Sequence, residues 1–370
     1  MAKLYYKITN NDEYVDGLNM LDKPFELNGT FTTIEHIFKF LNEGSYIREI
    51  TLPNDCKWIK DSQYDKYRAN KLILGKKYNL TDPQTFQLLI DRGADIHVNN
   101  DFALQWASSN GHFQVVEFLI KNGAKIHAVH DYALRLASKY GHLDIVKYLV
   151  ENGANIHATN DEALRDSSSN GHLSTVKFLI EKRANVHADC DSALRWASQK
   201  GHLEIVKYLV KNGANIHAHD DSALLSASSF GYIEVVKFLV KNGANIHVND
   251  DYALILASTK GHLEIVKFLV ENGANVHRSY DDYALRSASK TGYIAFVIDL
   301  VERGVNIHAN DDYALRWASR NGHLSTVKFL VEKGANIDVK NDYALKLASK
   351  YKHIQYFSIK TGLRVSIINI

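Results

Sequence analysis

Apolar and polar positions along most of the chain recur at a fixed interval of thirty residues. The shared pattern is Asp-x-Ala-Leu-x-x-Ala-Ser-x-x-Gly-His-x-x-x-Val-x-Phe-Leu-Val-x-x-Gly-Ala-Asn-Ile-His. Units with this pattern begin at Asp101, Asp131, Asp161, Asp191, Asp221 and Asp251 and, after one inserted residue near Tyr280, at Asp282, Asp312 and Asp342. Such self-similarity predicts a repeat array rather than a domain built around one core.

Each unit has the pattern of two short helices. Ala133, Leu134 and Ala137 recur at helical spacing, and Gly141 ends this first helix. A second apolar stretch follows and ends at Gly153, where glycine fits the left-handed position that closes a helix. The aspartate that opens each unit is expected to be the N-cap of the first helix. One such helix pair has apolar surface on both sides, so consecutive pairs must stack to bury it.

The second half of the unit, Gly-His-Leu-Glu-Ile-Val-Lys-Phe-Leu-Val-Glu-Asn-Gly-Ala-Asn-Val at 261–276, resembles the ankyrin repeat. The resemblance covers roughly 71–370 and is clearest over 101–341. The unit is shorter than the usual ankyrin unit of about thirty-three residues. The missing residues fall between His157 and Asp161, where the family projects a β-hairpin finger, so shortened hairpin loops are expected.

The resemblance implies an all-α repeat solenoid, a right-handed helix-turn-helix stack, behind a small N-terminal α+β segment. We assign 1–70 to that segment and 71–370 to the array. Within the array, 71–100 is an N-terminal cap, 101–341 holds eight clear repeats, and 342–370 is a degenerate C-terminal cap. The shortened units, with 31–38 and 47–53, also resemble ankyrin-repeat proteins of mimivirus-type giant viruses.

Composition narrows the functional classes. The 370 residues carry a net charge of +2, which argues against nucleic-acid binding through bulk charge. The two cysteines, Cys56 and Cys190, lie far apart and predict neither a disulfide framework nor a zinc site. No signal peptide and no membrane-spanning run is evident, so we expect a monomeric intracellular protein, in the host cytoplasm if it is viral.

Two columns of histidine invite a metal-binding interpretation, which spacing disfavours. One column follows the turn glycine, as at His142, and the other ends the unit, as at His157. Equivalent residues of stacked helices lie about 8–10 Å apart, whereas metal ligands must lie within about 4 Å of each other. We expect these histidines to form structural hydrogen bonds. No nucleophile elbow or phosphate-binding loop is present, so no cofactor and no enzymatic activity are expected.

The positions that vary between units are the candidates for partner binding. The resemblance implies that the first helices line a concave groove that receives a protein. Tyrosine and tryptophan dominate interface energetics, and the candidates are Trp106, Tyr132, Tyr140, Trp196, Phe230, Tyr252, Tyr283, Tyr313 and Trp317. For the tryptophans, at the sixth position of the unit, packing between helices is an equal alternative. Tyr140 and Phe230, next to the turn, are expected to be the most exposed.

A column of basic residues occupies the fifth position of the units, with interruptions at Leu225 and Ile255. It could meet an acidic partner or a phosphate backbone, with aromatic residues alongside. It could instead bond to neighbouring carbonyl groups or to aspartate within the stack, which is the interpretation we favour. The column consists of Arg135, Arg165, Arg195, Arg286, Arg316 and Lys346.

Two units depart from the pattern and are predicted to form weak interfaces in the stack. The unit from Asp161 has Asp166 and Ser167 in its first helix and Arg183 where glycine is expected. The unit from Asp282 has Asp299 where an aromatic residue is usual.

Overall fold

The computed structural model describes residues 5–10, 17–20, 30–61, 65–275 and 283–336. It comprises an antiparallel sheet followed by helix pairs and divides into two units, Met1–Asn185 and Val186–Ile370. The predicted C-terminal cap at 342–370 and the insertion near Tyr280 lie outside the described residues. In the described part of the chain, no helix combines the length and the apolar character needed to cross a membrane.

The first unit opens with a seven-stranded antiparallel sheet. The strands are β1 (Tyr5–Thr9), β2 (Gly17–Met20), β3 (Thr30–Thr33), β4 (Tyr46–Thr51), β5 (Trp58–Lys60), β6 (Lys66–Ala69) and β7 (Lys71–Asn79). Their order in the sheet is β2-β7-β4-β1-β3-β6-β5. A ten-residue 3-10 helix, Ile34–Glu43, follows β3 and buries Ile37, Phe38 and Leu41.

The predicted boundary between 70 and 71 is wrong, because it separates β7 from the sheet. β7 pairs antiparallel with β2 and β4, and its Leu72 and Leu74 belong to the buried cluster with Phe31 and Tyr67. The helical array therefore begins at α1 (Pro83–Asp91). The predicted cap at 71–100 is part strand and part helix.

Helix pairs with nearly constant bounds follow α1. In the first unit they are α2 (Val98–Ser109) with α3 (Phe113–Lys121), α4 (Ala128–Tyr140) with α5 (Leu143–Glu151), and α6 (Ala158–Ser169) with α7 (Leu173–Glu181). Within this unit α2 packs on α4 and α4 on α6, while α3 contacts α5 and α5 contacts α7. Val146 and Leu149 of α5 are completely buried. The predicted stacking of apolar faces is confirmed here.

The second unit repeats the arrangement. Its first helices pack on one another in order, from α8 on α10 to α14 on α16. The pairs are α8 (Ala188–Lys200) with α9 (Leu203–Lys211), α10 (Ala218–Phe230) with α11 (Ile233–Lys241), α12 (Tyr252–Lys260) with α13 (Leu263–Glu271), α14 (Tyr283–Thr291) with α15 (Ile294–Glu302), and α16 (Ala309–Asn321) with α17 (Leu324–Glu332).

A tight left-handed turn joins most successive pairs in place of a hairpin finger. Val129, His130 and Asp131, at the start of α4, all have φ between 52° and 55°. The same three positions are left-handed at the start of α2, α6, α8, α10 and α16 and directly before α12. The backbone thus reverses within three residues, which explains the short unit. Left-handed conformations cost roughly 1–2 kcal/mol for a residue with a side chain, so other contacts must hold the turn.

The opening aspartate does not make the side-chain cap that was predicted. Asp251 occupies the N-cap position of α12 without a side-chain capping hydrogen bond, and Asp131 is left-handed. Its buried carboxylate instead accepts from Nδ1 of His127 at 2.9 Å and from the backbone N–H of Asn155 at 2.9 Å. The aspartate therefore joins the loop before its own helix pair to the loop after it. The same pair of bonds recurs at Asp101, Asp161, Asp191, Asp221, Asp251 and Asp312.

Arg183 is expected to destabilise its unit through backbone conformation. Its φ is 72°, in a position where other units have glycine. At Gly153 and Gly213 an added Cβ would meet nothing within 4 Å, so the cost lies in the dihedral angle alone. Arg183→Gly should raise the free energy of unfolding by about 1 kcal/mol, measured by urea denaturation. Arg183→Ala keeps the Cβ and should change nothing; an equal gain from both variants would place the cost in the guanidinium instead.

Candidate partner-binding face

The exposed side chains of the first helices form what we call the first-helix face, on α2, α4 and α6 in the first unit and on α8, α10, α12, α14 and α16 in the second. Tyr140 is 50% exposed and Phe230 53% exposed, which confirms their predicted exposure. Each is the last residue of its helix, directly before a left-handed glycine. Tyr132, Trp196 and Tyr252 are also exposed large side chains.

Trp106 is buried and offers no surface to a partner. Its ring lies 6.1 Å from Phe86 of α1 and 4.8 Å from His112, and α2 is packed against the 3-10 helix. His112 is itself partly buried, and this burial lowers its pKa, with a smaller contribution from His142. For Trp106, at the sixth position of its repeat, packing between helices is therefore the interpretation that the structure supports. We therefore remove Trp106 from the candidate face.

The remaining three candidates, Tyr283, Tyr313 and Trp317, are partly buried and lie among cations. Arg286 lies over Tyr283 at 4.2 Å and over Tyr313 at 5.3 Å. The rings of Tyr313 and Trp317 meet edge to face at 6.0 Å. The contact of each of these rings with particular cations was not predicted from the sequence. The missed signal was a basic residue three positions after each aromatic residue, which places both on one helix face.

Three of the arginines at the fifth position hold the left-handed turns. Arg135 donates to the carbonyl of Val129 at 3.0 Å, and Arg165 donates to that of Thr159 at 2.9 Å. Arg316 bonds two turn carbonyls, and Gln105 reaches the carbonyl of Asn100 in the same way. The structural role that we favoured for this column is thus observed at these positions. Arg195 and Arg286 instead lie over aromatic rings.

Members of both histidine columns form the structural hydrogen bonds that were predicted. The column at the end of the unit supplies the His–Asp pairs described above. In the other column, Nε2 of His142 donates to the carbonyl of Ser109 at 3.0 Å, and Nε2 of His172 donates to that of Lys139 at 2.9 Å. These bonds join consecutive helix pairs. Within the described ranges, no group of three or more histidine, cysteine or acidic residues is placed to hold a metal ion.

The surroundings of Asp166, on the first-helix face, disfavour the ionised form of its carboxyl group. Burial raises its pKa above the usual value, and Glu162 raises it further. A pKa that is higher in the folded than in the unfolded protein means that ionisation opposes folding, so the associated stability is present in acid and lost as the pH rises through the folded pKa. Asp166→Asn should therefore increase the urea midpoint at pH 7 and leave it unchanged near pH 3. The exposed Asp144→Asn is the control and should show no gain at pH 7.

Most of the chain, including the helix pairs, matches the model of a known repeat family. The family described as Ankyrin repeats (3 copies) matches residues 76–160, 164–250, 224–311 and 287–359. A crystal structure of the human ASB11 ankyrin repeat domain aligns with a TM-score of 0.45 and 26% identity, covering 49% of this chain and 89% of that one.

Similar sequences include several proteins of Acanthamoeba polyphaga mimivirus. Ankyrin repeat protein R868 is 42% identical over 134 residues, which is 31% of this chain and 66% of that protein. Ankyrin repeat protein R229 is 37% identical over 142 residues, 31% of this chain and 46% of that protein. In both cases the match spans less than two thirds of the relative. Uncharacterized protein R869 is 39% identical over 131 residues, 31% of this chain and 95% of its own length.

Proposed function

The chain belongs to the ankyrin-repeat family, and on that premise we propose that it is a non-enzymatic scaffold that binds another protein through its first-helix face. Ankyrin repeats generally mediate protein–protein interaction. The resemblance predicted from the unit at 261–276 is confirmed, and so is the resemblance to mimivirus proteins.

The contrast between the two kinds of helix carries this proposal. The first helices expose large aromatic side chains, Tyr140 and Phe230 above all. Aromatic residues of this kind supply most of the energy in protein interfaces. The second helices expose large apolar side chains only near their first residues, at Tyr232, Tyr293 and Leu324. Along their length they expose lysine and glutamate that pair with each other, as in Lys207 with Glu204 and Lys237 with Glu234. A paired, solvated surface of this type contributes little to recognition.

The relatives suggest where the partner is found. Since several similar proteins are viral, we propose a host-cell protein as the partner and the host cytoplasm as the place of binding, with the scaffold acting as a monomer. The nucleic-acid alternative gains no support at the fifth position, because Arg135, Arg165 and Arg316 are engaged with backbone carbonyls.

The proposal is tested by affinity purification of the intact chain from host-cell lysate. Tyr140→Ala combined with Phe230→Ala should reduce recovery of the specific partner about ten-fold or more, since interface aromatic residues often contribute 2 kcal/mol or more each. Trp58→Ala removes an equally exposed aromatic residue from β5 and serves as the control. Equal recovery of the partner by the unmodified chain, the double variant and the control would contradict binding through the first-helix face.

A further inference from the structure

Neighbouring helices α14 and α16 concentrate cations and aromatic rings on the first-helix face. Lys290 lies over the ring of Trp317 at 5.0 Å and Arg320 lies over it at 4.8 Å. Arg286 and Arg316 lie over Tyr313 at 5.3 Å and 4.6 Å. We call this set the basic–aromatic cluster; its members are Tyr283, Arg286, Lys290, Tyr313, Arg316, Trp317 and Arg320.

The charge of this surface is one-sided. At the second, fifth, sixth, ninth and tenth positions of the units that begin between 191 and 312, basic residues occur repeatedly and carboxylates do not occur. The basic residues are Arg195, Lys200, Lys260, Arg286, Lys290, Arg316 and Arg320. The two acids of α16 lie in its first turn. They are Asp311, which is left-handed, and Asp312, whose buried carboxylate accepts from His308 and from the N–H of Asn336.

The repeats of the first structural unit, Met1–Asn185, differ at the corresponding positions. Glu162 and Asp166 occupy its first-helix face, and Arg135 is paired with Glu162 at 2.6 Å. The excess of positive charge on the first-helix face is therefore a property of the second structural unit, Val186–Ile370, and not of the repeat pattern. A surface with one sign of charge favours association with a partner of the opposite sign.

We propose that the basic–aromatic cluster docks an acidic segment of the protein partner, with carboxylates bound by Arg286, Lys290 and Arg320. This inference rests on the proposed function and adds the chemistry of the ligand. A guanidinium stacked on a ring is held in a fixed plane, and its planar fork of N–H groups matches the two oxygens of a carboxylate.

The rings themselves favour a protein segment over nucleic acid. Single-stranded nucleic acid binds basic grooves by stacking its bases on the faces of aromatic side chains. Here the faces of Tyr313 and Trp317 are approached by two cations each, all within 5.3 Å of the ring centre. Stacked bases would have to displace those cations, whereas carboxylates bind them where they are.

The test uses the full chain and fluorescence anisotropy with a labelled peptide of alternating glutamate and glycine, about a dozen residues long, against a matched glutamine–glycine peptide. We expect the glutamate peptide to bind at least about ten-fold more tightly, a difference of about 1.4 kcal/mol. Lys290→Gln with Arg320→Gln should lower that affinity about ten-fold, because both cations are exposed and contribute through their charge. Exchanging the two types, Lys290→Arg with Arg320→Lys, retains the charge and should retain binding.

The matched control is Lys207→Gln with Lys237→Gln, which makes the same charge change on second helices of the same structural unit. The affinity of this variant for the glutamate peptide should stay within about two-fold of that of the unmodified protein. Equal affinity for both peptides, or an equal loss in the control, overturns the inference. So does tighter binding of a thymidine oligonucleotide that competes with the peptide. If any of these outcomes is found while Tyr140→Ala combined with Phe230→Ala reduces recovery of the partner, the proposed function stands and only the acidic ligand is wrong.

Discussion

Asp131→Ala is expected to lower the free energy of unfolding by about 2–3 kcal/mol. The carboxylate is buried and accepts two hydrogen bonds, from His127 and from the N–H of Asn155. Bonds to a charged group contribute roughly 1.5–3 kcal/mol, and the loss leaves a backbone donor without its acceptor. The aspartate also holds a turn of three left-handed residues, so its removal loosens the connection between two helix pairs.

Urea denaturation together with hydrogen exchange at the Asn155 amide checks this prediction. The amide should lose protection in Asp131→Ala, whereas His127→Ala leaves that bond intact and should cost about 1 kcal/mol or less. The exposed Asp144→Ala controls for loss of an acid from the same repeat. Unchanged protection of Asn155 in Asp131→Ala would show that the carboxylate does not hold the loop.

Gly141→Ala is expected to destabilise the stack by about 2–4 kcal/mol. Gly141 has φ of 78°, which costs a residue with a side chain roughly 1–2 kcal/mol. The added Cβ would also lie less than 3.0 Å from the ring of His172. The ring must then move, and its hydrogen bond to the carbonyl of Lys139 is lost, which adds about 0.5–1.5 kcal/mol.

Gly153→Ala separates the two causes. Gly153 has φ of 96°, and a Cβ there would meet nothing within 4 Å, so this variant should lose only the conformational part, about 1–2 kcal/mol. Thermal unfolding of both variants measures the difference. Equal losses would mean that His172 does not rest against Gly141.

The repeat architecture could be predicted because its causes are local and periodic. The buried side of the first helix is defined by spacing alone, at Ala133, Leu134 and Ala137. Gly141 marks the end of that helix, and Gly153 marks the end of the second. The exposure of Tyr140 followed from its position beside the turn. Each of these inferences needs only a few neighbouring residues.

Bonds between distant positions could not be predicted in this way. The bond of Asp131 to the N–H of Asn155 joins residues twenty-four positions apart, and the aspartate fits the N-cap rule equally well when only its neighbours are considered. The strand Lys71–Asn79 likewise pairs with β2 and β4, far away in the sequence. Trp106 is buried by Phe86 and the 3-10 helix, which the repeat pattern does not contain.

Site-specific photo-crosslinking tests the binding face most directly. A photoreactive phenylalanine analogue is placed singly at Tyr140 and at Phe230, and for comparison at Lys147 and at Lys237 on the second helices. In host-cell lysate, the first two positions should crosslink to a common protein while the other two do not. Crosslinks to that protein from the second helices alone would contradict binding through the first-helix face.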